Sequence, residues 1–194
     1  MSRWRSTLSI TALVVLAFAS YAPAATASPT LASATTATLS LPSGETVTAS
    51  GDLDLTVQNF NLNDRSIVLV ARVSGTLSAG PVEATLTNVK IVAAITNLQA
   101  NCASGTLSFN YRATVPTKGI SVTVGGATVQ LRRAVTLRGS VTISTADIDP
   151  TLDPTGELTA AVGRLICEIE TLLATGASLD AVVAELNAVL SSLP

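Results

Sequence analysis

The sequence predicts an α+β protein in which an antiparallel β-sandwich or curved half-barrel sheet is followed by a C-terminal αα-hairpin. Two observations lead to this prediction. Residues 39–145 alternate apolar and polar side chains between turn formers, which is the pattern of strands with one buried face. Residues 153–194 instead place apolar side chains at intervals of three and four, as amphipathic helices do. The short turns favour six to eight antiparallel strands.

Residues 1–27 have the organisation of a cleavable secretory signal peptide. Two arginines precede the apolar run Leu8–Ala19, and small residues follow it. The run has about twelve residues, whereas a membrane-spanning helix needs roughly 20, so no permanent membrane anchor is expected. The small pair Ala25 and Ala27 predicts cleavage before Ser28, and a cut after Ala24 is the alternative. A secreted or extracytoplasmic location follows.

The mature chain divides into three predicted segments. Residues 28–38 are rich in Ala, Ser, Thr and Pro without apolar periodicity, so they are predicted to form a flexible arm. Residues 39–194 form a single secreted domain, β-rich over 39–145 and a helix hairpin over 153–194. Within the β-rich part, Asn88 marks a turn or bulge, and Gly125-Gly126 predicts a two-residue hairpin loop.

The predicted first helix begins where Asp153 supplies an N-cap and Pro154 suits the first helical position. Its aliphatic residues recur on one face, and Cys167 lies on the opposite face among small residues. Both faces should therefore be buried, one against the sheet and one against the second helix. Gly176 ends the first helix, and Ser178 caps the second.

Both cysteines, Cys102 and Cys167, lie in the mature domain. An even number of cysteines in an exported domain predicts a disulfide, and two separately buried thiols are the alternative.

The composition argues against several classes of function. Two of the 11 basic residues and none of the 13 acidic residues lie in the leader, so the mature domain has a net charge of −4. Nucleic acid is not an expected partner of such a domain. The chain has no histidine, which removes Ser-His-Asp and Cys-His nucleophiles and most catalytic zinc sites. The sequence therefore predicts neither an enzyme nor a cofactor.

Four groups of residues are candidates for a site. Asp52 and Asp54 share one face of a strand, as a glycosidase pair would, but a solvated outer face is the favoured interpretation, since few aromatic residues could line a sugar cleft. The acidic stretch at the start of the helices offers oxygen ligands for Ca²⁺, although turns and helix capping explain the same residues. A basic cluster suggests an anion site, although neighbouring strand residues point to opposite faces. Aliphatic residues of the two helices could form the wall of an apolar ligand site. The calcium candidates are Asp147, Asp149, Asp153 and Glu157, the basic residues are Arg132, Arg133, Arg138 and Arg112, and the wall residues are Leu165, Ile169, Leu186 and Val189.

The stretch Gly163–Leu173, Gly-Arg-Leu-Ile-Cys-Glu-Ile-Glu-Thr-Leu-Leu, and the later Leu186-Asn-Ala-Val-Leu190 resemble the end of a loosely defined group of secreted bacterial proteins. Members have a leader, a β-rich body with one mid-chain cysteine, a Leu-Leu-Cys type helix and a final Leu-rich helix. This chain departs from the pattern at Arg164, at the two glutamates after Cys167 and at Arg132-Arg133. The resemblance implies secretion and a disulfide, and it implies no catalytic residue.

Together these observations predict a non-enzymatic, secreted or envelope-associated protein that binds an apolar, lipid-like ligand or a protein partner. A structural or adhesive surface protein is the alternative. A ligand site requires a cavity or a large exposed apolar patch, whereas adhesion requires an exposed sheet edge.

Overall fold

The computed structural model describes residues 28–193, in which eight strands precede two helices. The predicted signal peptide lies outside the described residues. A single-turn 3₁₀ helix, Thr145–Asp147, separates the strands from the helices. The strands are β1 (Thr30–Ser40), β2 (Thr46–Asn63), β3 (Ser66–Ala79), β4 (Val82–Asn101), β5 (Thr106–Val115), β6 (Ile120–Val124), β7 (Ala127–Val129) and β8 (Val135–Ser144), and the helices are α1 (Glu157–Thr175) and α2 (Leu179–Ser192).

Six of the strands close into a barrel-like antiparallel sheet. The strand order is β3-β2-β1-β8-β5-β4, and β4 pairs back with β3. The hairpin of β6 and β7 extends from the first residues of β4. The predicted α+β class and C-terminal helix pair are confirmed. The sheet is curved, as predicted, and it closes because its two edge strands, β3 and β4, pair with each other.

The predicted strand pattern is confirmed in its main features. All five alternate apolar residues from Leu107 to Val115 are buried, as are the four from Ile67 to Val73. Asn88 has a positive φ of 52°, and the pairing of β3 with β4 shifts register beside it. Gly125 and Gly126, with φ of 58° and 86°, join β6 to β7 as the predicted two-residue loop.

The prediction of a flexible arm over residues 28–38 is wrong from Thr30 onward. These residues form most of β1, which pairs with β2 on one side and β8 on the other. Three successive inward positions of β1, Ser33, Thr35 and Ala37, carry small side chains, so this part of the sequence lacks the apolar alternation of an ordinary buried strand.

A tyrosine inside the sheet explains why β1 needs small residues. Tyr111 lies opposite Gly139, where an added Cβ would stand 2.7 Å from the tyrosine ring. The Tyr111 hydroxyl lies 2.8 Å from Thr35 Oγ1 and 3.2 Å from Ser33 Oγ. All three side chains are buried, and their mutual hydrogen bonds satisfy polar atoms that would otherwise be costly to bury. The ring therefore fills space that larger side chains on β1 and β8 would occupy.

The helix hairpin covers one end of the closed sheet, but the prediction that both faces of α1 are buried is wrong, because Ala160, Thr171 and Ala174 on the small-residue face are exposed. Val162, Ile166 and Ile169 are fully buried, while α1 contacts α2 on one side and β4 on the other. Helix α2 is fixed to β2 through Asn187. Its side-chain oxygen accepts from the Phe60 N–H at 2.8 Å, and its amide donates to the Phe60 carbonyl at 2.9 Å.

The Phe60 contact shows how this fold treats a vacant strand edge. Strand β1 starts at Thr30, opposite Thr56, so it supplies no strand partner for Phe60. The Asn187 amide presents one acceptor and one donor, as a peptide group does. A side chain thus takes the position of a missing strand.

The predicted disulfide between Cys102 and Cys167 is present, with the two Cα atoms 4.5 Å apart. It joins the turn after β4 to the middle of α1. Beside it, Glu170 accepts a hydrogen bond from the Cys102 N–H at 2.8 Å. The helix hairpin is therefore covalently tied to the sheet end that it covers.

We expect the Cys102→Ser, Cys167→Ser double variant to unfold at a lower urea concentration. The disulfide spans 65 residues, and the chain-entropy estimate for a loop of that length is about 4 kcal/mol. Reduction of the wild type should give a similar loss. Equal urea midpoints for the oxidised wild type and the double variant would contradict the prediction.

Candidate functional site

The closed sheet separates along part of one seam. Pairing of β1 with β8 runs from Thr38 opposite Thr136 to Ala34 opposite Ser140. Strand β1 begins four residues earlier, at Thr30, and β8 continues to Ser144. Among residues 28–193, this last part of β1 pairs only with β2, and that of β8 pairs only with β5. The wall of the sheet is therefore open between the two strand ends.

The strand ends direct backbone groups into this opening. The Val57 N–H donates to the Pro29 carbonyl at 2.9 Å. The odd-numbered residues of β1 therefore direct their backbone N–H and C=O groups towards β2. In an antiparallel strand the residues between them face the other neighbour. Thr30 and Ala32 thus direct their backbone groups towards β8, where the described part of the chain gives them no strand partner. By the same alternation Thr142 and Ser144 face β1.

A cleft of about 460 Å³ occupies the opening. We call it the seam cleft. Apolar side chains from both strands, from the loop after the 3₁₀ helix and from the end of α2 dominate its lining, and two carboxylates lie beside them. Leu152 is 59% exposed. The lining residues are Pro29, Thr30, Leu31, Ala32, Thr142, Ile143, Ser144, Asp147, Ile148, Asp149, Leu152 and Leu193.

Hydrogen bonds within the acidic loop hold Leu152 at the cleft. Asp149 accepts from the Thr151 hydroxyl at 2.7 Å and from the Thr151 N–H at 2.8 Å, and these bonds lower the pKa of Asp149. The Leu152 N–H donates to the Asp149 carbonyl at 2.9 Å. The resulting turn places an apolar side chain among acidic residues.

Asp153 caps helix α1, although the helix begins later than predicted. The helix starts at Glu157 with Gly156 as its N-cap, so Pro154 is not its first residue. Asp153 nevertheless accepts from the Thr159 hydroxyl at 2.6 Å and from the Thr159 and Leu158 N–H groups at 2.8 and 3.0 Å. The bonds from Thr159 are the main cause that lowers the pKa of Asp153.

The four predicted calcium ligands do not converge. Asp147 and Asp149 border the seam cleft, Asp153 caps α1, and Glu157 opens that helix. Within residues 28–193, no three Asp, Glu or Cys side chains lie close enough together to hold a metal ion. The acidic stretch serves the turn and the helix cap in this structure.

The predicted apolar wall lies in the core. Ile169, Leu186 and Val189 are fully buried, and Leu165 packs partly buried against them. None of the four lines the seam cleft. The sequence does not reveal the cleft, because residues 28–38 lack the apolar alternation that would predict a strand there. The apolar Leu152 within an acidic loop was the available signal.

The remaining charged candidates lie on the surface. Asp52 and Asp54 are both exposed on the outer face of β2. Arg132 and Arg133 lie in the loop before β8, whereas Arg112 and Arg138 lie opposite one another in the sheet. The predicted basic cluster is thus divided into two pairs.

One pair of carboxylates does meet, at the junction of the two helices. Burial of the Glu185 carboxyl raises its pKa, and the neighbouring Glu168 raises it further, while Arg164 acts in the opposite direction. These residues line a shallow, open depression beside Cys167. It is separate from the seam cleft.

Comparisons with protein-family models, with curated proteins and with solved structures find no match to this chain. In the part of the chain that the structure describes, no helix has both the length and the apolar character needed to cross a membrane.

We expect Asp153→Asn to lower the melting temperature near pH 7, because the amide is a weaker acceptor for the first-turn N–H groups. The folded pKa of Asp153 is lowered, so its contribution is complete above the unfolded value of about 3.9 and is lost as pH falls through the folded value. The difference from wild type should therefore shrink in acid. Thermal unfolding from neutral to acidic pH measures this, with Asp54→Asn on the outer face of β2 as the control. A difference that is independent of pH would contradict the capping role.

Proposed function

We propose that this chain is a secreted, non-enzymatic binding protein whose seam cleft holds an extended apolar segment of a protein partner. The observation that carries the proposal is the coincidence of vacant strand edges with an apolar cleft. Thr30 and Ala32 on one side, and Thr142 and Ser144 on the other, direct backbone groups into a space whose lining is mainly apolar.

The backbone groups favour a peptide over a hydrocarbon chain. An extended peptide can pair with a free strand edge through its own N–H and C=O groups, and its alternate side chains can enter an apolar pocket. A hydrocarbon chain would cover the same backbone groups without bonding to them, which is costly. The Asn187 side chain already makes such a pairing with Phe60 on the neighbouring strand.

The size of the cleft fits a short segment. A volume of about 460 Å³ lies within the usual range of about 300–1,000 Å³ for ligand pockets. Leu31 and Ile143 belong to the inward faces of their strands, while Leu152 stands at the exposed rim. An apolar side chain of the partner could thus bury Leu152 and contact the end of the core.

Secretion is supported by the disulfide, since such bonds persist in oxidising compartments. The proposal that the protein is not an enzyme is supported by the absence of histidine from the sequence. A structural or adhesive role finds less support, because closure of six strands pairs their long edges everywhere but at the short seam of β1 and β8. Within residues 28–193 the outer edge of β7 has no strand partner, but that strand has only three residues.

We expect Leu152→Ser to weaken binding of a fluorescently labelled, end-blocked peptide of alternating Val and Thr, measured by fluorescence anisotropy. Full burial of a leucine contributes about 1.5–3 kcal/mol, which corresponds to about a tenfold or greater loss of affinity. Val92→Ser is the matched control, because Val92 is 56% exposed on the outer face of β4. It should bind as the wild type does.

Two further probes identify the kind of ligand. A peptide N-methylated at alternate residues on its pairing edge should bind more weakly, because it cannot donate to the strand. Dodecanoate that binds in a Leu152-dependent manner, without peptide binding, would indicate a lipid-like ligand instead. If no probe distinguishes Leu152→Ser from Val92→Ser, the proposed site is wrong.

A further inference from the structure

The charges of this protein are segregated along the chain and in the fold. Between Glu83 and Asp147 the sequence contains six basic residues and no acidic residue. From Asp147 to Leu193 it contains eight acidic residues and only one basic residue, Arg164. Three of the six, Lys90, Arg112 and Arg138, lie on β4, β5 and β8, so the wall that these strands form is basic although residues 28–194 as a whole are acidic. The six basic residues are Lys90, Arg112, Lys118, Arg132, Arg133 and Arg138.

Two of these arginines form a like-charged pair. Arg112 on β5 and Arg138 on β8 are direct partners in the antiparallel register, and both are exposed on the outer face. Directly opposite side chains of an antiparallel pair have Cβ atoms about 4.5–5.5 Å apart, and like charges in this position are destabilising. A bound anion would therefore stabilise the folded protein by neutralising the two positive charges.

Among the described strands, the nearest carboxylate along the adjacent row of the sheet is not a neighbour of this pair. Beside the arginine pair, a row of cross-strand partners runs across the sheet from Asn110 through Ser140 to Ala34. The first carboxylate in this row is Asp52, on β2. That is two strands away from β8. By contrast, Arg72, which faces Lys90 across β3 and β4, donates to the Asn88 carbonyl and side-chain oxygens at 3.4 Å. Within residues 28–193, neither Arg112 nor Arg138 has a comparable hydrogen bond from its guanidinium.

The surroundings of the pair suit an oxyanion. Arg112 and Arg138 line a shallow depression of about 410 Å³. Asn110, Ser140 and Thr96 border it and can donate hydrogen bonds, while Ala34 and Gly139 leave room above the sheet. Guanidinium groups bind phosphate and carboxylate oxygens with two parallel hydrogen bonds. The register of β5 and β8 fixes the backbone positions of the two arginines directly opposite one another.

From these observations we propose that Arg112 and Arg138 form a binding site for a phosphate or sulfate group, distinct from the seam cleft. A doubly charged oxyanion neutralises both guanidinium groups at once, and Asn110 and Ser140 donate to its remaining oxygens. The group can be a free ion or part of a larger phosphorylated or sulfated molecule, since the depression is open to solvent.

Thermal unfolding at low ionic strength tests the site with inorganic phosphate as the probe. Phosphate should raise the melting temperature of the wild type more than chloride of equal ionic strength does, since chloride provides screening alone. Arg112→Gln and Arg138→Gln should each remove this difference. Each should also raise the melting temperature in phosphate-free buffer, because the like-charge repulsion is gone. Arg65→Gln, in the exposed turn between β2 and β3, removes the same charge outside the depression and should retain the phosphate effect.

Titration calorimetry with inorganic phosphate and with polyphosphate separates the two sources. We expect each arginine variant to lose about tenfold or more in affinity for whichever probe binds the wild type. Binding of polyphosphate alone would indicate a phosphate group within a polymer, and binding of inorganic phosphate would indicate the free ion. The proposal is overturned if neither probe binds the wild type, or if both arginine variants respond as Arg65→Gln does.

Discussion

The packing of Tyr111 against β1 is the constraint on which the rest of the structure depends. The ring lies against Gly139, and its hydroxyl bonds with Ser33 and Thr35 on β1. Because β1 joins β2 to β8, these contacts hold together the two halves of the closed sheet. Ser33 also donates to the Ser140 carbonyl at 3.0 Å, at the last paired position before the seam opens. Ser33 thus helps to close the sheet and lies next to the position where the pairing of β1 with β8 ends.

Two strand edges at this end of the molecule lack a strand partner among the described residues, and they differ in what contacts them. On β2, Asn187 satisfies the Phe60 backbone, and the disulfide and the Cys102–Glu170 hydrogen bond hold the hairpin that carries it. On β1 and β8, the vacant edges instead line an apolar cleft. The helix hairpin contacts β2, β3, β4 and β5 at this end, and Leu193, which follows α2, borders the cleft. The basic wall with Arg112 and Arg138 is a separate feature, since it lies on the outer face of paired strands.

The sequence predicted the elements whose side chains alternate clearly, and it failed where tertiary packing overrides local pattern. Leu107 to Val115 reads as a strand because its inward residues are large and apolar. Strand β1 does not, because its inward Ser33 and Thr35 are small and polar to fit Tyr111, which is distant in sequence. Sheet closure depends on the pairing of β3 with β4, and the seam depends on the relative lengths of β1 and β8. Neither is encoded in a local motif, so the sequence does not predict the cleft. The apolar periodicity of the helices instead predicts a ligand wall at residues that fill the core.

Amide hydrogen exchange followed by NMR tests most directly whether the sheet opens at this seam. We expect the N–H groups of Thr30, Ala32, Thr142 and Ser144 to exchange rapidly in the free protein, because they face the opening and no described strand pairs with them there. The N–H groups of Ala34, Thr36, Arg138 and Ser140 should be strongly protected, because those residues pair across the same two strands. Equal protection of both groups would show that β1 and β8 remain paired to their ends, which would contradict the existence of the seam cleft.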